Sequence, residues 1–179
     1  KLILLNDGIS HLAVVHHETT TGMLNPVGEI STLAHRYGIE MIVDAMSSYA
    51  GIPMDIKDLN IEYLISSSNK CIQGMPGLSF VIVSQDALSK LEPNRRSFYL
   101  DLYSQHTCFE KTMQTQFTPP IQVLYALRQA LDEYFAETGE GRHKRYVANW
   151  NLLYEGVCAI GFRPLLDKEH ESRILTAFC

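Results

Sequence analysis

Hydrophobic and polar positions change period along the chain, and the changes mark out its elements. Residues 12–16 (LAVVH) are an apolar, β-branched run that predicts a buried strand, followed by a polar Thr/Gly stretch ending at Asn25-Pro26. Pro26 suits the first turn of a helix, where a missing N–H costs nothing. Val27, Ile30, Leu33 and Ala34 then recur at helical spacing through Tyr37, and Gly38 stands where a C-terminal cap belongs. Residues 39–43 (IEMIV) predict a second strand ending at Asp44. Residues 61–65 (IEYLI) predict a third, running into Ser66-Ser67-Ser68-Asn69-Lys70. Residues 78–83 (LSFVIV) predict a fourth, after the turn-rich Gly74-Met75-Pro76-Gly77.

Strand, helix and strand in succession predict an α/β fold, a mostly parallel sheet with flanking helices. Polar ligands of such sheets gather beyond the carboxyl ends of the strands. His16-His17-Glu18-Thr19, Asp44 and residues 67–70 all fall at such ends. Residues 93–120 follow neither period. Helical spacing returns over 121–137, with Leu124, Leu127, Leu131 and Tyr134 as an apolar stripe. It continues over 142–160, with Tyr146, Trp150, Leu153 and Val157 on one face and Gly161 as the stop. These two helices read as a link into a second domain.

Composition narrows the functional classes. With 179 residues, 46% apolar and 20% charged, the chain matches an ordinary soluble domain with a sizeable core. A net charge of −5 without a Lys/Arg block leaves no footprint for nucleic acid or an anionic membrane, so small-molecule chemistry is the expectation. No apolar run spans a bilayer and the start KLILLNDGIS lacks signal-peptide features, which points to the cytoplasm or an organelle matrix. Cys71, Cys108, Cys158 and Cys179 form no CxxC pair, and we read them as reduced, mostly structural thiols. A start at Lys1 and a stop at Cys179, directly after the strand-like run 173–178, suggest a fragment.

Four groups of residues carry candidate chemistry. Lys70 follows a buried strand on a small-residue polar loop, where a lysine serves either as a solvated surface charge or, deprotonated in a cleft, as a nucleophile towards a carbonyl. Asp44, at the end of the neighbouring strand, suits either the cap of a turn or the partner of a protonated pyridine nitrogen, whose cationic ring acts as an electron sink. Thr19, Thr20 and Thr21 before Gly22 either bind a phenolic oxygen or phosphate or satisfy the loop backbone. His16 and His17 are adjacent on a strand and point to opposite faces, which with no HExxH and no third ligand argues against a metal site.

The stretches VVHHETTTGMLNPVGEI (14–30), VDAMSSYAGIPMD (43–55), YLISSSNKCIQGMPGLSFVIV (63–83) and FTPPIQVLYAL (117–127), in this order and spacing, resemble the class V aminotransferases of fold type I. The HHETTTG and SSNKCIQG wording resembles the phosphonate-degrading branch more than the alanine:glyoxylate and serine:pyruvate branches. The resemblance implies pyridoxal 5'-phosphate as cofactor and transamination between a small-molecule amino donor and pyruvate, in a homodimer. It implies that Lys70 forms the Schiff base and shuttles the proton, that Asp44 pairs with the pyridinium, and that Met46 lies against one ring face. It further implies that Thr19 binds the phenolic oxygen, Asn69 helps hold the phosphate, and Thr118 is a phosphate ligand given to the other subunit.

On the same resemblance, residues 1–120 are part of the cofactor-binding large domain, 121–161 connecting helices, and 162–179 the start of a small C-terminal α/β domain. The family's Gly-rich phosphate loop is then expected before Lys1 and its substrate-binding arginine after Cys179; Arg95, Arg96, Arg163 and Arg173 do not sit in that motif. The alternatives are another class V aminotransferase, a catalytically inactive truncated fragment, or a cofactor-free lyase using Lys70, which leaves Asp44 without a task.

Overall fold

The computed structural model describes residues 8–92 and 96–179. Strand β1 (His11–Val15) leads through helix α1 (Val27–His35) to β2 (Glu40–Asp44), and then come β3 (Tyr63–Ser67) and β4 (Ser79–Val83). The four strands form one sheet in the order β1-β2-β3-β4. The first three are parallel, and β4 runs antiparallel to β3. Helices α2 (Gln85–Ser89), α3 (Leu102–Thr112), α4 (Ile121–Glu137) and α5 (Gly139–Ala159) follow.

The core lies between α1 and the sheet. Alternation in β2 buries Met41 and Val43, which pack with Leu64 of β3 and with Val27 and Ala34 of α1. Pro26 stands at the N-cap of α1, as its fixed φ suggests, and the chain leaves the helix through Gly38 at φ 67.

Boundaries differ from the sequence expectation where polar contacts intervene. The third strand begins at Tyr63 rather than at residue 61, because the Glu62 carboxylate turns back to accept from Met41 N at 2.7 Å. Helix α5 begins three residues before 142, because Thr138 caps it, its hydroxyl accepting from Gly141 N at 3.1 Å. Its buried face carries Trp150 and Tyr154, while Leu153, expected inside, is 57% exposed. In the stretch that fits no period, α3 forms with Asp101 as its N-cap and buries none of its own residues.

The strand-like run 173–178 is not a strand. Arg173 takes φ 60, and only a single bridge joins Phe178 to Pro164. The chain leading into it packs on the loop after β1: Leu24 N donates to His170 O at 3.0 Å and Ser172 N to Gly22 O at 2.9 Å. The cysteines are free and none is fully buried. No helix among the described residues is long and apolar enough to cross a membrane.

Gly22 is the tightest point of this packing, with φ 85 and space for a Cβ only 2.5 Å from Leu175 O. In the natural full-length protein, Gly22→Ala is expected to lower the unfolding free energy by about 2 kcal/mol or more, since strain and a backbone clash add. Urea titration measures it, and an unchanged midpoint would mean that the C-terminal segment does not press on this loop.

Candidate active site

Parallel pairing sets the carboxyl ends of three strands side by side. Val15, Asp44 and Ile65 are successive partners across the sheet. The ladder runs one step further, with His16 N donating to Asp44 O and Ala45 N to Ile65 O, each at 2.9 Å. The loops carrying His16 to Thr19, Asp44 to Met46 and Ser67 to Lys70 therefore leave the sheet from one edge.

Asp44 is half-buried, and its Oδ1 accepts from Met46 N at 2.8 Å, which closes the turn holding Met46. Its second oxygen has no hydrogen bond among the described residues. Capping the turn thus uses half of the carboxylate and leaves the other half available, so the two sequence readings of Asp44 do not exclude each other.

Past β3 the chain folds into a closed loop. Ser68 N donates to Leu78 O at 3.0 Å, Gly74 N to Ser68 O at 2.8 Å and Gln73 N to Lys70 O at 2.8 Å. A Cβ on Gly74 would stand 2.8 Å from Ser68 O, so a side chain there would force the loop open. Ser67 Oγ donates to Asn69 Oδ1 at 2.9 Å, which orients the Asn69 amide and leaves its NH2 without a partner among the described residues. Lys70 is exposed, and its amine has neither a hydrogen bond nor an ion pair among those residues.

The two histidines tie β1 to the Asp44 turn. His16 Nδ1 lies 2.9 Å from Ser48 Oγ. Ser47 Oγ donates to His17 O at 2.9 Å, and His17 Nδ1 faces both Ser47 Oγ at 3.0 Å and Ser47 O at 3.3 Å. A carbonyl accepts only, so Nδ1 carries the proton and Nε2, which is buried without a partner, is left as an acceptor. Burial, helped by the neighbouring His17, lowers the His16 pKa to about 4, and burial also lowers that of His17 against the pull of Ser47 O and Glu18. Both are neutral at pH 7. No group of three or more potential metal ligands occurs among the described residues.

Thr19 is exposed on a turn closed by Gly22 N donating to Glu18 O at 2.8 Å, while Thr21 serves the backbone by accepting from Met23 N at 3.3 Å. Thr118 is exposed just before α4 and takes no part in the hydrogen-bonded network of the strand ends. Helix α4 packs on the loop after Lys70, with Val123 Cγ2 3.3 Å from the position of a Cβ on Gly77. Arg96, Arg163 and Arg173 are exposed, and Arg95 lies outside the described residues.

Sequence reasoning missed Arg142. It is 2% exposed, and its Nη1 donates to Cys71 O at 2.9 Å and Ile72 O at 3.2 Å. Its Nε donates to Glu137 Oε2 at 2.7 Å, and its guanidinium lies over the Tyr134 ring. Glu137 is held to about 2 by Arg145 and then by Arg142. One residue on, His143 Nδ1 donates to Gly51 O at 2.9 Å, and Tyr146 Oη accepts from Gln73 Nε2 at 2.8 Å. The available signal was a charge cluster, Glu137 with Arg142 and Arg145, across the joint of two helices, which reads as solvated when the second helix is started at 142.

The model of the class-V aminotransferases matches residues 2–178, and the chain belongs to that family. Pyridoxal phosphate is the family's cofactor. The chain is 54% identical over 172 residues to 2-aminoethylphosphonate–pyruvate transaminases of Salmonella typhimurium and Salmonella enteritidis, which covers 95% of the chain and 47% of each relative. It thus spans about half the length of these curated relatives. Among solved structures it is similar to pyridoxamine-pyruvate aminotransferase of Mesorhizobium loti (TM-score 0.91, 28% identity, 99% of this chain and 46% of that one). It is also similar to alanine–glyoxylate aminotransferase of Nostoc (TM-score 0.85, 29% identity, 95% and 46%).

His16 titrates near 6.5 when unfolded and near 4 in the fold. Between these values the unfolded chain binds more protons, so the stability this group contributes is complete above about pH 6.5 and is lost as pH falls towards 4. The loss is on the order of 3 kcal/mol. His35, which Glu62 pulls up, has the opposite sign. Comparing urea midpoints at pH 7 and 4.5 in wild type and His16→Asn isolates the term: the variant is expected to show the shallower pH dependence, and equal slopes would remove His16 as the cause.

Proposed function

We propose that the natural protein transfers the amino group of 2-aminoethylphosphonate to pyruvate, giving phosphonoacetaldehyde and alanine. The observation that carries this reading is the 54% identity, over 95% of the chain, to transaminases of that name. Its working form in this reading is a cytoplasmic homodimer. Residues 1–120 belong to the cofactor-binding domain, 121–161 connect, and 162–179 open the next domain.

The groups at the sheet edge suit pyridoxal phosphate by their chemistry. An aldehyde needs an unpaired amine, a ring N–H needs a carboxylate oxygen, and a phosphate needs N–H donors. Lys70, the second oxygen of Asp44 and the NH2 of Asn69 offer these, each without a competing partner among the described residues. When bound, the cofactor supplies an electron sink for charge on the substrate carbon.

In this reading Lys70 Nζ would hold the cofactor through its aldehyde, with loss of water, and, once displaced by the substrate amine, would take the proton from the amino-bearing carbon of the substrate. The free Asp44 oxygen would keep a proton on the ring nitrogen, while the Met46 N–H holds the carboxylate in place. Met46 would cover one ring face, Thr19 would donate to the phenolic oxygen, Asn69 would steady the phosphate, and Thr118 would serve a phosphate across the subunit interface. His16 and His17, neutral, fix the turn behind Asp44 without adding a charge that would compete with the ring.

Lys70→Ala is expected to abolish both the cofactor adduct trapped by borohydride and nearly all alanine formation. Mass spectrometry of the reduced natural full-length protein decides it, and an adduct on a different lysine would sink the assignment. Asp44→Asn is expected to lower kcat at least about hundredfold while changing cofactor affinity far less, because the lost charge matters most in the transition state. Near-normal turnover would remove Asp44 from its role.

A further inference from the structure

We propose that Arg142 is a positioning residue for Lys70: from the start of α5 it fixes the peptide that aims the lysine. The inference rests on Lys70 having the role given above. Lys70 has no side-chain partner among the described residues, so the backbone alone fixes the point from which its side chain starts. That backbone is held on its C-terminal side by one helix. Arg142 Nη1 bonds the carbonyls of Cys71 and Ile72, the two residues after the lysine. One helical turn further, Tyr146 Oη accepts from the side chain of Gln73, whose own N–H donates to Lys70 O.

The same stretch of helix holds the other side of the site. His143 Nδ1 bonds Gly51 O in the turn that follows Asp44 and Met46, and the Cys71 thiol reaches Ser47 O of that turn at 3.5 Å. The first turns of α5 are therefore a common reference for the loop carrying the lysine and the loop carrying the carboxylate. A guanidinium suits this place. Its planar fork serves a carboxylate through Nε and two carbonyls through Nη1 at once, which an ammonium on a flexible stem does not do. Burying such a charge is costly unless it is paired and hydrogen-bonded, and Glu137 supplies the counter-charge.

The test uses the natural full-length protein with pyridoxal phosphate bound. Arg142→Ala is expected to lower kcat about a hundredfold, the scale of a misaimed reacting group, while KM for the amino donor changes less than about threefold. The visible band of the lysine-linked cofactor should titrate with a displaced midpoint, because its surroundings shift with the loop. Arg142→Lys should recover no more than about a tenth of the kcat. A folded Arg142→Ala with wild-type kcat and midpoint, and only a lower Tm, overturns the inference. If that variant does not fold, Glu137→Gln, which weakens the hold on the guanidinium, must move the band's midpoint, and an unmoved midpoint also overturns it. Borohydride trapping separates the two levels. An adduct away from Lys70 in wild type defeats the functional reading itself, whereas an adduct on Lys70 with an insensitive Arg142 defeats only this inference.

Discussion

Everything at the candidate site depends on the register of three parallel strands. Because Val15, Asp44 and Ile65 are partners across β1, β2 and β3, residues remote in sequence leave the sheet at one edge and on one level. A parallel sheet has this property generally: all its carboxyl ends face one way, and the return connections lie elsewhere. A one-residue slip in β2 would exchange the buried faces of Met41 and Val43 for those of Ile42 and Asp44. The hydrophobic pattern that builds the core is thus also what keeps the Asp44 carboxylate at the rim rather than inside.

Register alone brings the loops near one another without fixing their shapes. That task falls to small polar side chains and glycines. Ser47 and Ser48 bond the two histidines, Ser68 closes the loop after β3, and Gly51 and Gly74 let backbone and side chains approach where a Cβ would collide with Cys71 Sγ or Ser68 O. The serine-rich wording after β2 and β3 therefore has a structural role beside any chemical one. Arg142 and His143 add a second layer from α5, so the rigidity of the loops is borrowed from a helix far along the chain.

The sequence made the sheet, and the strand-end positions of Asp44 and Lys70, legible because both depend on local pattern, whereas Met46, Asn69 and Thr118 entered only through the family resemblance. Alternation in residues 39–43, the proline and glycine around α1 and the apolar stripe of α4 each need only a short window, and α4 has the bounds its period predicts, Ile121–Glu137. Legibility failed where distant contacts decide. Helix α3 buries none of its residues, so no stripe announces it, and α2 is five residues held by a Ser84 cap. The run 173–178 has strand composition but packs on the loop at Gly22, and Arg142 looks like a surface charge until the Lys70 loop is folded over it.

The distribution of satisfied and unsatisfied polar groups adds a last step. Leaving a buried donor or acceptor unpaired costs about 1–3 kcal/mol, so native folds pair nearly all of them. Three buried side-chain atoms lack partners among the described residues: His17 Nε2, Gln116 Oε1 and Glu171 Oε1. His17 stands two residues before Thr19, Gln116 two before Thr118, and Glu171 is bridged to Met23 at the end of the threonine turn. The exposed amine of Lys70, the second oxygen of Asp44 and the NH2 of Asn69 are also unengaged. Some charges elsewhere are matched: Glu40 with Lys90 and His11, Glu62 with His35, and Glu137 with two arginines. At the ends of the parallel strands, the amine of Lys70, one oxygen of Asp44 and the NH2 of Asn69 keep unused hydrogen-bonding capacity.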